Sequence, residues 1–381
     1  MFSFYEFFAG AGMARSGLSK NWKCIFANDF DRKKAACYKK NWGDEALVVD
    51  DIRSLTSKEL PGKADLVWAS FPCQDLSLAG TGAGLQGDRS GTFWPFWALM
   101  TDLVKERRSP RLIVLENVCG TLTSHRGKDF ATICAAFVGL GYNFGALVID
   151  AARFVPQSRP RLFIVGARED VLLPSRLLRK GPADVWHTRA LCAAQASLGA
   201  PLREKWTWWN LQEPPPLKKG LSDLIEADPA GVKWHSDAET TRLLSLMSAV
   251  NLAKVAEARK LGRQVVGTVY KRTRRDEFGR KTQRAEVRFD NVSGCLRTPA
   301  GGSSRQVILV VSRDQIKSRL ISPRETARLM GLPDSYELPT NYNEAYHLTG
   351  DGVAVPVVRH LAKCLFQPIL THNEEPAKAA A

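Results

Sequence analysis

Phe71-Pro72-Cys73-Gln74 places a cysteine in a tight, proline-containing turn, directly after the apolar run Leu66-Val67-Trp68-Ala69-Ser70. A buried strand that ends this way presents a thiol at the edge of a sheet, where a substrate can reach it. A thiolate is strongly nucleophilic near neutral pH, so the arrangement suits covalent catalysis. The bland alternative for a single cysteine is a small buried hydrophobe. Glu116-Asn117-Val118 follows a second apolar run, Leu112-Ile113-Val114-Leu115. A carboxylate at the end of a buried strand is costly unless it has a task or a partner, and a helix cap or salt bridge would be the structural option. Gln157-Ser158-Arg159-Pro160-Arg161 leads into Leu162–Val165. Guanidiniums two residues apart on an extended segment point the same way. They could orient a carboxylate, contact a phosphate or depress a thiol pKa, or form an ordinary surface pair.

A second set of residues suits a nucleoside. Phe8-Ala9-Gly10-Ala11-Gly12 follows the first apolar strand and opens a helix, and its glycines let backbone approach a ligand closely. Asn28-Asp29 ends the next strand, where a carboxylate can accept from ribose hydroxyls. Asp51-Ile52 follows the third and could hold an adenine edge. The glycine spacing required for a pyrophosphate is incomplete, because the next position is Ser16 or Gly17. That favours a cofactor without a diphosphate, such as S-adenosylmethionine, over NAD.

The elements that must position these residues alternate. Strands are expected at Phe2–Phe7, Lys23–Ala27, Leu47–Val49, Leu66–Ala69, Leu112–Leu115, Tyr142–Ile149 and Leu162–Val165. Helical patterns fall at 13–20, 31–41, 92–107 and 128–140. Such alternation predicts a mostly parallel sheet with helices on both faces, whose ligands bind beyond the carboxyl ends of the strands. Residues 169–300 lose the alternation, hold half of the ten tryptophans and carry Pro214-Pro215-Pro216; they read as a second, less regular domain. Regular structure returns at Val307–Val311. Ser322-Pro323-Arg324-Glu325 is a capping box that starts a short helix at Pro323–Met330. A last helix near Val355–Leu365 is expected to pack back on the first sheet. The boundaries are therefore 1–168, 169–300 and 301–370, with a frayed tail at 371–381.

The chain has 381 residues and a formal net charge of +15, which favours a polyanionic partner, most simply nucleic acid. Lys271 to Arg288 holds eight basic residues against three acidic ones. Eight scattered cysteines without a CxxC pair argue against a disulfide framework and a structural zinc, and for a reducing cytoplasm. No run reads as a membrane span, no signal segment opens the chain, and no spacing suggests a metal.

The order FxGxG, acidic residue, Asp-Ile, FPCQ, GxRSGTFW, ENV, QxRxR and RExARLMGxP resembles the DNA (cytosine-5)-methyltransferase family, in its compact bacterial form, over residues 4–167 and 305–365. The resemblance implies a Rossmann-like α/β sheet with helices on both faces, dependent on S-adenosyl-L-methionine, plus a smaller irregular target-recognition domain. Cys73 would attack carbon 6 of a cytosine flipped out of duplex DNA. Glu116 would hold ring nitrogen N3 and the exocyclic amine, and Arg161, with Arg159, the base carbonyl. Cofactor contacts would come from Phe8, Ala9, Gly10, Gly12, Asp29, Phe30, Asp51, Ile52, Pro72, Phe93, Asp351 and Val353. DNA would be met by Gln74, Ser77, Arg89, Lys271, Arg272, Arg274, Arg275 and Arg305, with the glycine-rich stretch Gln74 to Gly91 as a closing lid. A monomer in the bacterial or phage-infected cytoplasm is implied, associated with the nucleoid and with a restriction endonuclease as companion.

The chain departs from the family at Gly350-Asp351-Gly352-Val353, where relatives carry Gly-Asn. The aspartate could repel the cofactor carboxylate, be neutralised by an arginine or attract the sulfonium. Asp29 is likewise shorter than the common glutamate. The rival expectations are an RNA cytosine-5 methyltransferase, which the missing Cys-Phe-Thr signature disfavours, and a silent DNA-binding protein of the same fold, which retention of Cys73, Glu116, Arg159 and Arg161 disfavours.

Overall fold

The apolar runs of the first 117 residues lie side by side as parallel strands in the computed structural model, which describes residues 1–72, 90–275, 279–297 and 305–374. They are β1 (Phe2–Phe7), β2 (Trp22–Asn28), β3 (Leu47–Val48), β4 (Leu66–Ala69) and β5 (Leu112–Asn117). Two further strands, β6 (Tyr142–Asp150) and β7 (Pro160–Arg168), complete a sheet in the order β3-β2-β1-β4-β5-β7-β6. β7 runs antiparallel to both β5 and β6. The order reverses between β1 and β4, the crevice where open α/β sheets take ligands. Helices α1 (Met13–Leu18), α2 (Arg32–Trp42), α3 (Phe93–Lys105) and α4 (Lys128–Gly139) fall between the strands as the patterns predict.

Strands covered on both faces must be apolar throughout, and β4 and β5 are buried at every position. On one face Val67, Ala69, Ile113 and Leu115 join a core with Phe96, Trp97 and Met100 of α3. On the other, Trp68 packs against Phe163 and against Phe366 from the C-terminal helical stretch. That stretch, Val355–Leu361 continuing through Gln367–His372, returns to the sheet as expected. Its end is anchored rather than frayed: the Asn373 side chain accepts from Leu172 N–H and donates to Leu172 C=O, both at 2.9 Å. The tail beyond Glu374 lies outside the described residues. One stretch, Tyr342–His372, is long and apolar enough to cross a membrane by composition, which the sequence reading did not register; 61% of its apolar window is buried inside the protein, and non-helical backbone at Gly352–Ala354 interrupts it.

The compact units divide the chain differently from the sequence boundaries. The first comprises 1–150, 160–214 and 355–381, the second 151–159 and 215–354. Residues 169–214 belong with the large sheet because β8 (Leu178–Arg179) and β9 (Trp208–Trp209) pair there and Trp206 packs edge-on against Phe144. Gly145 allows this approach: a side chain there would collide with the Thr207 backbone and with Trp209 Nε1 at 2.8 Å.

In the second unit β10 (Val265–Arg275), β11 (Lys281–Arg288), β12 (Val307–Val311) and β13 (Ile316–Leu320) form an antiparallel sheet in the order β11-β10-β12-β13. Val307–Val311 is thus regular, but its partner is β10 and not the first sheet. Val269, Ala285, Val287, Leu309 and Val311 bury against Leu243, Met247, Val255 and Ala258. The Ser322–Glu325 capping box forms as predicted and starts the helix Pro323–Leu329.

Gly17 of α1 faces the helix Val355–Leu361 so closely that a Cβ would run into Val358 Cβ and would lie 2.8 Å from Val355 O. Gly17→Ala therefore overpacks this contact, and chemical denaturation is expected to register a loss of about 1–3 kcal/mol. Unchanged stability would mean that the two helices are free to move apart.

Candidate active site

The predicted chemistry of the first unit converges on the carboxyl edge of its sheet. Phe8, just past β1, has φ 55°, and Gly10 and Gly12 follow at 57° and 77°. This left-handed run turns the chain from β1 into α1. The two glycines serve different needs. A side chain at Gly12 would meet Trp42 Nε1 at 2.5 Å and Tyr38 Cε2 at 3.0 Å, whereas no atom of the described residues lies within 4 Å of the place a Cβ would take at Gly10. Gly12 is required by packing; Gly10 leaves an open cradle.

Asp29 ties this loop to the end of β2. Its Oδ2 accepts from Gly10 N–H at 2.7 Å and its Oδ1 from Asp31 N–H at 2.8 Å. Burial raises the Asp29 pKa, against the pull of those N–H donors and of Lys34. Asn28 extends the tie, donating from Nδ2 to the carbonyls of Val48 (3.1 Å) and Asp50 (2.9 Å). Asp51 starts the short turn Ile52–Ser54, accepting from Arg53 N–H at 2.9 Å. Ile52 and Ala9 are buried and Phe30 is 67% exposed. Phe93 is fully buried, 5.4 Å from the ring of Phe71 and stacked at 5.4 Å on Trp97. Pro72 is half-buried at the border of the described residues. Cys73, Gln74, Ser77, Arg89 and the glycine-rich stretch lie outside them.

This edge fits a nucleoside cofactor that carries positive charge. An open glycine, an exposed aromatic and two strand-end aspartates lie in sequence along it. Arg15, the cation of the loop, is turned away from it: its Nη1 donates to Tyr38 Oη at 2.9 Å and its guanidinium stacks 5.0 Å over Trp42. A diphosphate would lack that counter-charge.

The sequence reading passed over Glu6. It is 1% exposed one residue before the end of β1; Oε1 accepts from Arg15 N–H at 3.2 Å, and Oε2 has no hydrogen-bond partner among the described residues. Burial pushes its pKa up to about 8, with nearby Asp29 adding to the rise and Arg15 opposing it. A charged residue inside an otherwise apolar strand was the available signal.

Glu116 and Asn117 lie inside β5, not beyond its end. Glu116 is 6% exposed and its Oε1 pairs with Arg161 Nε at 3.2 Å. The antiparallel register sets Glu116 opposite Phe163, which brings Arg161 of β7 to it from the neighbouring strand. Asn117 is a second residue that the sequence left without a role. Its Nδ2 donates to Phe71 C=O at 3.1 Å, while its Oδ1 accepts from Val118 N–H at 2.8 Å. It therefore fixes the segment that enters Cys73 beside the strand bearing Glu116.

Within the second unit, Arg159 is 2% exposed and its Nη atoms donate to backbone carbonyls of Leu296, Gly350 and Gly352. Its engagement differs from that of Arg161, so the expected common direction of the pair gives way to separate partners. Asp351 is exposed and Val353 buried. In the β10–β11 ribbon, Glu286 pairs with Arg274 at 2.5 Å and Arg272 at 3.4 Å, and Arg275 donates to Gly279 C=O at 2.8 Å. Lys271 is half-buried. Arg305 bonds Asn343 and lies 5.5 Å over the Tyr342 ring.

The sheet order and this strand-end arrangement define a Rossmann-like α/β fold with its candidate site at the carboxyl edge. The model for the family of C-5 cytosine-specific DNA methylases matches residues 2–367. The chain is 28% identical over 368 residues to the Type II methyltransferase M.MthTI of Methanothermobacter thermautotrophicus, covering 94% of this chain and 95% of that one. It is 25% identical to M.Bsp6I of Bacillus sp. (strain RFL6), with 97% and 100% covered. Among solved structures, the S. pombe Dnmt2 methyltransferase superposes with a TM-score of 0.60 at 18% identity, covering 97% of this chain and 99% of that one. The chain belongs to the C-5 cytosine-specific DNA methylase family and is a DNA (cytosine-5-)-methyltransferase.

The folded chain keeps a proton on Glu6 at pH values where the unfolded chain, with its ordinary value of 4.5, has lost it. Ionised Glu6 therefore costs stability; the cost is absent below that value, grows as pH rises through it and levels off above about 8. Glu6→Gln keeps an acceptor for Arg15 N–H and removes the ionisation. Denaturation midpoints from acidic to alkaline pH should move in favour of the variant across this window, and parallel profiles would refute the assignment.

Proposed function

We propose that the protein methylates carbon 5 of a cytosine swung out of a specific duplex DNA sequence, with S-adenosyl-L-methionine as donor and Cys73 as covalent nucleophile. The observation that carries this reading is the Asn117 hydrogen bond to Phe71, two residues before Cys73. It holds the entry to the thiol turn against the strand whose Glu116 is paired with Arg161.

Cytosine carbon 5 is a poor nucleophile. Addition of the Cys73 thiolate to carbon 6 forms a C–S bond and drives ring electrons toward carbon 5 and N3. Glu116, oriented by Arg161, accepts from the exocyclic amine through one oxygen and delivers a proton to N3 through the other, which limits the charge on the ring. Arg161 also fits the base carbonyl. The donor, when bound, supplies an electrophilic methyl group on a sulfonium. Carbon 5, once it carries the methyl group, gives its proton to water as the carbon 6–sulfur bond breaks and Cys73 leaves as thiolate, and N3 returns its proton to Glu116. Phe8, Ala9, Gly10, Gly12, Asp29, Phe30, Asp51, Ile52, Pro72 and Phe93 would hold the donor along the strand edge, with exposed Phe30 offering a ring to stack on.

Extracting the base costs roughly a few kcal/mol, which contacts to the duplex must offset. Lys271, Arg272, Arg274 and Arg275 supply phosphate contacts on the exposed half of the β10–β11 ribbon. Exposed ion pairs such as those to Glu286 contribute little to stability, so these guanidiniums can exchange onto phosphate. Arg305 would complete the set, with Gln74, Ser77 and Arg89 of the glycine-rich stretch that follows Cys73 in sequence. Relatives named Type II methyltransferases favour a companion restriction endonuclease.

Labelled methyl transfer should reach duplex DNA and not tRNA. Cys73→Ser should abolish it, and Glu116→Gln should slow it by about 10²–10⁴-fold. A duplex carrying 5-fluorocytosine at the target should trap the protein covalently; absence of the adduct, or an adduct on another side chain, refutes the mechanism. Replacing Arg272 and Arg274 together by alanine should weaken binding to all duplexes alike and reduce the salt slope by about two. An effect confined to one sequence would make them base readers instead.

A further inference from the structure

The outer half of the β10–β11 ribbon has two faces of different chemistry. From Tyr270 onward β10 pairs with β11 alone, because β12 accompanies it only through Val269. Side chains alternate across a strand, and residues directly opposite share a face. On one face Tyr270, Arg272 and Arg274 stand opposite Glu286, Arg284 and Thr282; on the other Lys271, Thr273 and Arg275 stand opposite Ala285, Gln283 and Lys281.

The first face is organised by charge. Glu286 holds both Arg274 and Arg272, and the Arg272 guanidinium lies 5.9 Å over the Tyr270 ring. Arg284, opposite Arg272, adds a further guanidinium. The second face sets a neutral pair between cations. Thr273 and Gln283 are exposed, and among the described residues neither side chain has a hydrogen-bond partner. Lys271 precedes the pair on this face, and Arg275 and Lys281 follow it. Same-face neighbours along a strand are about 7 Å apart, so the cations bracket the pair closely.

Phosphates attract cations whatever the sequence, so charged positions set affinity and register, whereas sequence is read by hydrogen bonds to base edges. An exposed amide and hydroxyl gain little from a phosphate that lysine and arginine already serve. Their unused donors and acceptors suit base edges: an amide matches N6 and N7 of adenine as a bidentate pair, and a threonine adds a hydrogen bond or a methyl contact with thymine. A two-stranded ribbon is also an element that the major groove admits.

We propose that Gln283 and Thr273 are specificity-determining residues: this face of the ribbon lies on base edges in the major groove, Gln283 reads an adenine, and Lys271, Arg275 and Lys281 hold the flanking phosphates. Arg272, Arg274 and Arg284 reach phosphate past the edges of the ribbon from its outer face. The proposal rests on the reading that the ribbon meets the duplex.

The test methylates a pool of duplexes of randomised sequence with wild type, Gln283→Ala, Thr273→Ala and the double variant Arg272→Ala/Arg274→Ala, and reads the modified contexts by bisulfite sequencing. Affinity for a non-cognate duplex is measured against salt in parallel. Wild type should prefer adenine at one position of its site. Gln283→Ala should lose about 10–100-fold of the discrimination there and keep wild-type affinity and salt slope on the non-cognate duplex. Thr273→Ala should relax the same position or its neighbour. Neither side chain is buried or bonded, so both variants should melt as wild type does. The arginine double variant should show the opposite split, with contexts kept and affinity and salt slope reduced. Wild-type contexts retained by Gln283→Ala overturn the proposal, as does relaxation confined to a G·C position or a uniform loss with a shallower salt slope. A wild type that methylates no cytosine in the pool sinks the function proposed above and this inference together, whereas a defined wild-type context with an indifferent Gln283→Ala sinks this inference alone.

Discussion

A carboxylate taken out of water must be given donors or give up its charge, and the working edge of this protein is organised around several such groups. Glu6, Asp29 and Glu116 are all nine-tenths buried or more at or near the carboxyl ends of strands. Each meets the requirement differently. Asp29 accepts from the backbone of two loops, Glu116 is paired with a guanidinium from the adjacent strand, and Glu6 is held largely protonated by burial. The Asp29–Gly10 bond ties the loop after β2 to the loop after β1, and the Glu116–Arg161 pair joins β5 to β7. The cost of burying these groups is thereby converted into loop geometry, which a reaction needing atoms held in register requires.

The same reasoning explains Asn117. A neutral amide can donate and accept at once, so one side chain bridges the Phe71 carbonyl and the Val118 amide without the desolvation cost of a charge. In the second unit the logic is inverted: a cation is buried, and its donors are satisfied by carbonyls at a helix end. Arg319 and Glu325 are a further buried pair there, both fully inaccessible and joined at 2.6 Å by two side chains six residues apart. Such a pair adds little net stability, and losing one partner strands the other.

The β10–β11 ribbon joins two regimes along one element. Its Val269, Ala285 and Val287 end is core, and beyond Tyr270 the paired residues are arginines, lysine, glutamine and threonine. Arg272, Arg274, Arg275 and Lys281 are exposed there, so this end is a charged antiparallel ribbon. The stabilising half and the half suited to a polyanion are therefore parts of one continuous pairing register.

Local pattern was sufficient for the elements. Period-two and period-3.6 hydrophobicity located the strands and helices of the large sheet to within a few residues, because an apolar run between turn residues has few ways to bury itself. The capping box at Ser322–Glu325 was readable for the same reason: its partners are three residues apart. Residue types and order also carried the family. Tertiary structure alone decided what depends on distant chain. It grouped residues 169–214 with the first sheet and Val307–Val311 with the second, because strand pairing and the Gly145 approach join residues far apart in sequence. It also gave Arg159 and Arg161, two positions apart on one segment, different partners, which lie more than 130 residues away for one and on the next strand for the other. A side chain's chemistry is written in its type, but its role is fixed by the donors and acceptors that folding brings to it.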